Sequence, residues 1–293
     1  MQQRTGFVGL GVMGQPMALN LLLGGGDLLV WNRSAGRADL LARAGAEVAG
    51  GPREVFAGSD TVLLMLSDDA AVDEVLGRGT PAFTSMLRDH TVVLMGTHAP
   101  AYSRGLEKAV HAAGGAYVEA PVSGSRGPAE SGDLVAMLSG SDPDAVERVR
   151  VLLAPLVRHT VDCGPVPGAL TTKLAVNAYM ITMLTGLVEA VHLADRSGLE
   201  RSVLAEVLLG GPMAAPLLRT KLDKLIGGDV AVQAAVADVA KNTGLITAAA
   251  RDAGAATPLA DACDRLFGRA VALGEGAADL IAVLRVLEDA ADL

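Results

Sequence analysis

The chain has 293 residues, which is enough for two hydrophobic cores, so one large or two modest domains are expected. Its formal net charge is −9 and it has no block of basic residues, which argues against nucleic acid or an anionic membrane surface as a partner. Two cysteines, Cys163 and Cys263, are too few for a disulfide framework and are typical of a reducing compartment. The first residues show no signal-like apolar core, so a soluble cytoplasmic protein is expected.

The first predicted elements carry a glycine pattern. A short apolar run at residues 5–10 leads into Gly9, Gly11 and Gly14, which have the spacing G-x-G-x-x-G, and helical spacing follows before a second strand at 27–31. In such a strand–turn–helix–strand unit the first glycine allows a tight turn, the second lets the backbone approach a pyrophosphate, and the third lets helix and strand pack closely. The pattern predicts a Rossmann-type dinucleotide-binding domain.

The end of the second predicted strand indicates which dinucleotide binds. Domains that bind NAD place Asp or Glu there, where the carboxylate accepts hydrogen bonds from the ribose hydroxyls. This chain instead has Asn32, Arg33 and Ser34, with Arg37 close behind. Two guanidinium groups and no carboxylate favour a ribose that carries a 2′-phosphate, so the predicted cofactor is NADP(H).

Strands and helices continue to alternate through the first half of the chain. Strand-like runs occur at 60–66, 91–95, 116–120 and 134–140, and helical patterns at 70–76, 102–113 and 143–153 separate them. This alternation predicts a mostly parallel sheet with helices on both faces, whose ligands bind at the loops after the strands. The loop at 121–132 is rich in glycine and serine. Ser123, Gly124 and Ser125 would offer a hydroxyl and N–H groups to a carboxylate, and the alternative is a merely flexible connection.

An unbroken apolar stretch near the middle of the chain lies between two prolines and Gly198. It predicts one buried helix at 169–196, roughly 40 Å long at 1.5 Å per residue. Lys173 and Asn177 are four residues apart in it and therefore share one helix face. A lysine in such surroundings either extends its ammonium group to water or is held there for chemistry, and the helix alone leaves both alternatives open.

The central helix is also the one stretch that resembles a membrane span. Its Asn177, Glu189 and His192 would be costly in lipid, and the amphipathic segments that follow offer a protein environment instead. Those segments have helical patterns at 201–209, 213–226, 230–253, 258–273 and 277–289, and they predict an all-helical second domain packed on the central helix. The predicted domains are therefore 1–163 and 164–293. Apolar helical faces favour burial of surface of the second domain in a partner subunit.

Four ordered groups of motifs resemble the β-hydroxyacid dehydrogenase family, which includes 3-hydroxyisobutyrate dehydrogenases and the tartronate and glyoxylate/succinic semialdehyde reductases. FVGLGVMGQPMALNL with WNRS resembles its cofactor fingerprint in the NADP-preferring form, and EAPVSGSRGPAESGDL resembles its substrate loop. GALTTKLAVN resembles its catalytic motif, and GPMAAPLLRTK with KNTGLITAAARDAGAATPL resembles two C-terminal segments. The resemblance covers essentially the whole chain. It implies a Rossmann-type domain, a long central helix and a 6-phosphogluconate dehydrogenase-like helical domain. It also implies a homodimer or homotetramer built through that helical domain.

The resemblance also implies roles for individual residues. Lys173 matches the catalytic lysine, Asn177 the asparagine that positions it, and Ser123 with Gly124 the site for the substrate carboxylate. The predicted catalytic residues are therefore Lys173, Asn177 and Ser123, and the predicted substrate-binding residues are Ser123, Gly124, Asn177, Gln233 and Lys241. The predicted cofactor-binding residues are Gly9, Leu10, Gly11, Val12, Met13, Gly14, Asn32, Arg33, Ser34, Arg37, Leu66, Ser67, Thr97 and Lys241. No metal site is predicted.

The chain departs from the family pattern around the predicted substrate pocket. Gly96 stands before Thr97 where the family usually has serine, Asn242 replaces an aspartate, and an aromatic residue is missing near Gln233. His98 is a loop histidine with no partner visible in the sequence, and we interpret it as incidental rather than as a proton donor. The loss of a carboxylate beside Lys241 and the polar amide at Gln233 favour a dianionic or hydroxylated semialdehyde over methylmalonate semialdehyde.

Together these residues predict an NADPH-dependent reductase of a small semialdehyde or 2-oxo acid that bears a carboxylate. Lys173 would act as general acid and base, because burial lowers the pKa of a lysine toward neutral pH. One alternative is an imine reductase of the same fold, although those enzymes generally carry Asp or Tyr in place of Lys173. The other is a non-catalytic, NADP(H)-binding interaction protein.

Overall fold

The computed structural model describes residues 4–289 and divides the chain into two compact units, Met1–Lys173 and Leu174–Leu293. The sequence prediction places the boundary earlier, between residues 163 and 164. The first turn of the central helix falls in the first unit, where Leu170 is fully buried in the core. The two units are described separately.

Within residues 4–173 the first unit contains two sheets and eight α-helices, followed by the start of a ninth. The strands are β1 (Thr5–Val8), β2 (Leu28–Trp31), β3 (Glu47–Val48), β4 (Thr61–Leu64), β5 (Thr91–Leu94), β6 (Ala116–Glu119), β7 (Val122–Ser123), β8 (Leu134–Leu138) and β9 (Val157–Asp162). The helices are α1 (Gly14–Leu23), α2 (Asp39–Arg43), α3 (Pro52–Ala57), α4 (Asp69–Leu76), α5 (Pro81–Leu87), α6 (Pro100–Ala112), α7 (Arg126–Ser131), α8 (Pro143–Leu152) and α9 (Gly168–Arg196).

The larger sheet confirms the predicted parallel, doubly covered architecture. Its strand order is β3-β2-β1-β4-β5-β6 and every pair is parallel, with Thr5 in register with both Leu28 and Thr61. Side chains alternate between the two faces of a strand, so Leu63 packs in one core while Val62 and Leu64 pack in the other. The strand order reverses between β1 and β4, and in such sheets ligands bind beyond the carboxyl ends of the strands at this point.

The second sheet was only partly predictable from the sequence. The run at 134–140 forms β8, but β8 pairs with β7 and β9 in a separate sheet of three strands. The loop at 121–132 is more ordered than its glycine content suggests, because it contains β7 and α7. β9 lacks an apolar pattern since most of its residues are exposed, and periodicity therefore does not reveal it.

The second unit is all-helical within the described residues, as predicted. It contains the rest of α9 and then α10 (Arg201–Gly210), α11 (Pro216–Gly227), α12 (Val236–Asp252), α13 (Pro258–Ala272) and α14 (Leu284–Glu288). Its core includes Leu184, Val188 and Val191 from α9, together with Phe267 and Val286. α9 therefore contributes one side of the core that the helices of this unit share.

By length and composition α9 is also, within residues 4–289, the one helix that would be long enough to cross a membrane. Its most apolar window has a mean hydropathy of 1.5, and 44% of that window is buried inside the protein. A core helix of a water-soluble protein has the same properties, so this observation alone does not indicate a membrane span.

Candidate active site

The carboxyl ends of β1, β2, β4 and β5 lie at one edge of the parallel sheet, and the loops that leave this edge hold most of the predicted cofactor residues. The turn after β1 leads into α1, and short loops follow the other three strands. The structure therefore brings together at this edge Gly9, Leu10, Gly11, Val12, Met13, Gly14, Asn32, Arg33, Ser34, Arg37, Leu66, Ser67 and Thr97.

The three glycines of the first turn have the distinct surroundings that their spacing predicts. Gly9 has a φ of +99°, and a Cβ there would lie 2.2 Å from the carbonyl oxygen of Met65. A Cβ on Gly14 would lie 1.9 Å from the carbonyl oxygen of Gly9, so both positions exclude any larger residue. A Cβ on Gly11, in contrast, would meet no atom within 4 Å. The turn thus presents open backbone at Gly11, which fits the close approach of a pyrophosphate.

The end of β2 is tied to this turn and leaves two cations exposed. The backbone N–H of Leu10 donates to Oδ1 of Asn32 at 2.9 Å, and the amide nitrogen of Asn32 donates to the carbonyl oxygen of Ser34 at 3.0 Å. Arg33 and Arg37 are exposed, and neither forms an ion pair within residues 4–289. Two uncommitted guanidinium groups beside an asparagine fit a ribose 2′-phosphate better than a ribose 2′-hydroxyl.

His98 follows β5 and is not incidental, which corrects the interpretation from the sequence. It is fully buried, and its Nδ1 lies 2.7 Å from Oδ1 of Asp69 at the start of α4. Its ring stacks on Tyr102, whose hydroxyl donates to Asp73 at 2.7 Å. Burial is the main cause that raises the pKa of Tyr102 well above its usual range. His98 therefore belongs to a polar cluster that joins the loops after β4 and β5.

Two contacts explain why glycine is required at residue 96, and one of them is to His98. A Cβ on Gly96 would lie 2.5 Å from Nε2 of His98 and 2.5 Å from the carbonyl oxygen of Leu66. Atoms do not approach so closely, so a serine at residue 96 is incompatible with this position of the imidazole ring. The sequence shows both departures, but only the three-dimensional contact shows that they form a pair.

The predicted carboxylate site lies just after β6. Ser123 ends β7, where it is in register with Val135 of β8, and Gly124 follows with a φ of +133°. A Cβ on Gly124 would also lie 2.6 Å from Leu134, so both backbone conformation and space require glycine there. Nε of Arg126 donates to Glu130 at 2.7 Å, so this cation is already paired. The loop therefore offers the hydroxyl of Ser123 and backbone N–H groups to an anion.

Lys173 lies in the second turn of α9 and is partly buried. It forms no ion pair or hydrogen bond within the described part of the chain. Burial lowers the pKa of its ammonium group to about 8, and no charged neighbour contributes to this shift. The lysine is therefore neither a salt-bridge partner nor an ordinary surface cation. An ammonium group with this pKa is able to transfer a proton near neutral pH.

The start of α9 is held by residues that sequence reasoning did not single out. A Cβ on Gly168 would lie 2.0 Å from the carbonyl oxygen of Cys163 and 3.0 Å from Oγ of Ser139. The backbone N–H of Ala169 donates to that same Ser139 hydroxyl at 2.8 Å. The carboxylate of Glu119 accepts a hydrogen bond from the next residue, Leu170. Only the position of Glu119 directly before the serine- and glycine-rich loop pointed to it in the sequence.

The other predicted site residues belong to the second unit. Asn177 is buried one turn after Lys173 in α9, and Lys241 is half-buried in α12. The side-chain oxygen of Gln233 accepts a hydrogen bond from Nζ of Lys221 at 3.1 Å. Lys221 also pairs with Asp279 at 2.8 and 3.0 Å, and both charged groups are buried. The amide oxygen of Gln233 is thus committed within this unit, which the sequence could not show.

Comparisons with known proteins match both units. Residues 4–164 match the family model described as the NAD binding domain of 6-phosphogluconate dehydrogenase. Residues 168–287 match the model described as the NAD-binding domain of NADP-dependent 3-hydroxyisobutyrate dehydrogenase. Among curated relatives, the chloroplastic glyoxylate/succinic semialdehyde reductase 2 of Arabidopsis thaliana is 32% identical over 97% of this chain and 79% of its own length. The cytokine-like nuclear factor N-PAC of Anopheles gambiae is 30% identical over 96% of this chain but only 50% of its own length.

Solved structures agree with the family models. The 3-hydroxyisobutyrate dehydrogenase of Salmonella typhimurium has a TM-score of 0.87 at 25% identity and covers 97% of this chain and 99% of its own. Psf3 in complex with NADP+ and 2-OPP has a TM-score of 0.87 at 26% identity, and the match covers 97% of this chain and 99% of the Psf3 chain. An imine reductase from Pseudomonas sp. has a TM-score of 0.66 at 24% identity, and the match covers 98% of this chain and 100% of the reductase. At this level of identity the similarity shows the fold alone.

Proposed function

Because the chain belongs to the β-hydroxyacid dehydrogenase family, a family of dinucleotide-binding oxidoreductases acting on hydroxy acids, we propose that it is an NADPH-dependent reductase of small aldehydes that carry a carboxylate. The observation that carries this proposal is Lys173. Its pKa of about 8 suits proton transfer near neutral pH, and it lies in the same unit as the glycine turn at residues 9–14. The reverse reaction, oxidation of a hydroxy acid, would use the same groups.

Each residue has a distinct role in the proposed reaction. Gly11, Arg33 and Arg37 would hold the dinucleotide through its pyrophosphate and its 2′-phosphate. Bound NADPH would supply the hydride for the carbonyl carbon and would leave as NADP+. Nζ of Lys173 would donate a proton to the carbonyl oxygen, so that the aldehyde becomes an alcohol. Ser123 and the backbone at Gly124 hold the substrate carboxylate, which fixes the orientation of the aldehyde.

The preference for NADPH over NADH is tested at Arg33. We expect Arg33→Ala to weaken NADPH binding by about 1.5–3 kcal/mol and to leave NADH binding unchanged, because a charge-assisted contact to the 2′-phosphate is lost. Arg43→Ala is a matched control, since Arg43 is also exposed in the first unit and forms no ion pair within residues 4–289. Titration calorimetry with both cofactors measures the effect. Equal affinity of the unaltered protein for NADPH and NADH would overturn the preference.

A substrate panel tests the reaction itself. The 32% identical relative is named for glyoxylate and succinic semialdehyde, so these two compounds head the panel, followed by tartronate and methylmalonate semialdehydes. We expect the dianionic or hydroxylated aldehydes to give a higher kcat/KM than methylmalonate semialdehyde. Lys173→Arg, which keeps a cation but cannot release its proton, is expected to be inactive. Turnover of cyclic imines alone would support the imine reductase alternative, and no turnover with intact NADPH binding would support an interaction protein.

The second unit presents a surface that favours a homo-oligomer. On α9 the residues Val176, Tyr179, Gly186 and Leu193 follow helical spacing and are exposed, with Tyr179 71% and Leu193 68% accessible. An apolar stripe of this kind is stable in water when a second copy covers it. Light scattering on the purified protein measures its mass. We expect a dimer or tetramer, and Tyr179→Glu is expected to shift the equilibrium toward the monomer.

A further inference from the structure

A fully buried carboxylate lies beside the start of α9 and has no part in the proposed reaction. Glu119 is the last residue of β6 and has no accessible surface. Its backbone exchanges two hydrogen bonds with Ser139 at the end of β8, at 2.8 and 3.1 Å. Burying a carboxylate is costly unless hydrogen bonds compensate for the lost water, so the partners of its two oxygens show what holds it there.

One oxygen of Glu119 faces α6 and the other faces α9. Oε1 accepts a hydrogen bond from the Ser103 hydroxyl at 2.5 Å, and that hydroxyl also lies 2.7 Å from the Tyr117 hydroxyl. Oε2 accepts a hydrogen bond from the backbone N–H of Leu170 at 3.1 Å. The first N–H groups of a helix have no partner within the helix itself. Glu119 and Ser139 therefore satisfy two such groups of α9, on the consecutive residues Leu170 and Ala169.

The same side chain connects two parts of the candidate site along the chain. Glu119 precedes Ser123 by four residues, and Leu170 precedes Lys173 by three residues, less than one helical turn. A displacement of the first turn of α9 relative to β6 would therefore move the lysine and the carboxylate-binding loop apart. Errors of about 1 Å in such positions reduce catalysis strongly.

We propose that Glu119 is a positioning residue of this active site, which fixes the first turn of α9 against β6 and thereby sets the position and the dry surroundings of Lys173. The inference rests on the proposed function for its catalytic consequence. The charged group that acts on the pKa of the carboxyl is Glu107 on α6, and Glu119 in turn raises the pKa of Tyr117 on its own strand. Burial is the main cause that raises the pKa of Glu119 to about 7, and Glu107 adds to it. Glu119 therefore holds the helix through hydrogen bonds that its carboxyl group accepts in either protonation state, and not through an ion pair.

The test uses variants that separate the hydrogen bond from the volume of the side chain. Glu119→Leu fills similar space without an acceptor, and Glu119→Gln keeps an oxygen that is able to accept from Leu170. Ser139→Ala removes the acceptor for the backbone N–H of Ala169. If Glu119→Leu does not fold, this variant tests the same helical turn in its place. Glu107→Gln is the matched control, because it removes a nearby carboxylate that has no hydrogen bond to α9.

The primary readout does not depend on turnover. The chain has five lysines, so reductive methylation with ¹³C-formaldehyde gives five lysine NMR signals, and Lys173→Arg identifies the one from Lys173. We expect the pKa of Lys173 to move toward the ordinary lysine value by about half a unit or more in Glu119→Leu and in Ser139→Ala. The pKa of Lys173 is expected to be unchanged in Glu119→Gln and Glu107→Gln.

Kinetics with NADPH and the best substrate of the panel give the second readout. Glu119→Leu is expected to lower kcat about tenfold or more with an unchanged KM for NADPH, and Glu119→Gln to restore most of the rate. The proposal would be overturned if Glu119→Leu folds and the pKa of Lys173 is unchanged in it. If Glu119→Leu does not fold, an unchanged pKa of Lys173 in folded Ser139→Ala would overturn it. If the unaltered protein turns over no substrate, the proposed function fails, but the NMR titration still decides whether Glu119 positions Lys173.

Discussion

At the scale of single residues, surroundings rather than residue type decide the chemistry of Lys173. Burial alone lowers its pKa to about 8. Below that pH the ammonium form predominates and serves as the acid for carbonyl reduction, whereas above it the amine serves as the base for alcohol oxidation. The two directions of the reaction should therefore respond to pH with opposite signs.

We expect kcat/KM for reduction to fall as the pH rises through about 8, and kcat/KM for oxidation to rise over the same interval. Steady-state kinetics between pH 6 and 10 in both directions measure the two profiles. The free energy of unfolding is expected to rise with pH, opposite to kcat/KM for reduction. The folded pKa of Lys173 lies below its unfolded value, so the unfolded chain binds more protons between them and stability rises with pH in that interval. Parallel flat profiles would exclude Lys173 as the proton donor.

A second residue-scale effect is the pairing of Gly96 with His98. We expect Gly96→Ser to destabilise the protein by about 1–3 kcal/mol, because its Cβ would lie within 2.5 Å of the buried imidazole and of the Leu66 carbonyl oxygen. His98→Val alone should also be destabilising, since it leaves a cavity and removes the partner of Asp69. The double variant should be more stable than the sum of the two single changes predicts. Urea denaturation of the four proteins measures this coupling, and simple additivity would mean that the two positions are independent.

At the scale of elements, the start of α9 has the least freedom to change. The backbone N–H of Ala169 donates to Ser139, and that of Leu170 donates to Glu119. Gly168 packs directly on the backbone of Cys163. A backbone oxygen cannot move aside as a flexible side chain can. The position of the helix that carries Lys173 is therefore determined by its first three residues.

We expect Gly168→Ala to displace this turn, to lower stability by about 1–3 kcal/mol and to reduce kcat more than it raises KM for NADPH, because its Cβ would lie 2.0 Å from the Cys163 carbonyl oxygen. Gly268→Ala in α13 is the matched control, since a Cβ there meets nothing within 4 Å and alanine favours helix. That control should be neutral or stabilising by up to about 1 kcal/mol. Thermal unfolding and steady-state kinetics compare the two variants, and equal behaviour would contradict the steric explanation.

At the scale of the whole molecule, the two units are stabilised in different ways. Most of the first unit forms around a parallel sheet whose strands are nearly all apolar. The second is a helical core that includes a buried ion pair between Lys221 and Asp279. Burial is the main cause that lowers the pKa of Lys221, and Asp279 opposes it. Removal of one partner would leave the other charge buried without compensation.

We expect Asp279→Asn to lower the stability of the second unit by about 3–5 kcal/mol. Lys221→Met combined with Asp279→Asn should recover most of that loss, because no buried charge is left unpaired and the asparagine oxygen still accepts from the backbone N–H of Gln233. Circular dichroism at 222 nm during urea denaturation follows this helical unit. Glu275→Gln, which breaks the more exposed pair with Arg285, is the control and should cost less than about 1 kcal/mol. A cost for Asp279→Asn no larger than that of the control would mean that the buried pair contributes no more than a surface pair.

The elements that could be predicted from the sequence are those whose pattern is local. Five of the parallel strands, the glycine turn before α1 and the single helix at α9 follow from apolar runs and from their Gly and Pro boundaries. The exposed two-residue strand β3 could not be predicted in this way. β7 and β9 could not be predicted, because one has two residues and the other is mostly exposed. The separate sheet that they form with β8 depends on pairing between distant strands, and periodicity carries no information about pairing partners.

The candidate site divides in the same way. The amino-acid sequence alone determined the dinucleotide domain and the cations at Arg33 and Arg37, because residue type and spacing carry that information. The choice of Lys173 came from the resemblance to the family, since the helix pattern by itself left two alternatives open. The tertiary structure alone decided that Lys173 has a lowered pKa, that His98 is a buried partner of Asp69, that Gln233 is committed to Lys221, and that Glu119 holds the start of α9. Desolvation and hydrogen bonding depend on which distant residues surround a group, and folding brings those residues together across 29 to 51 positions of the chain for His98 and Glu119.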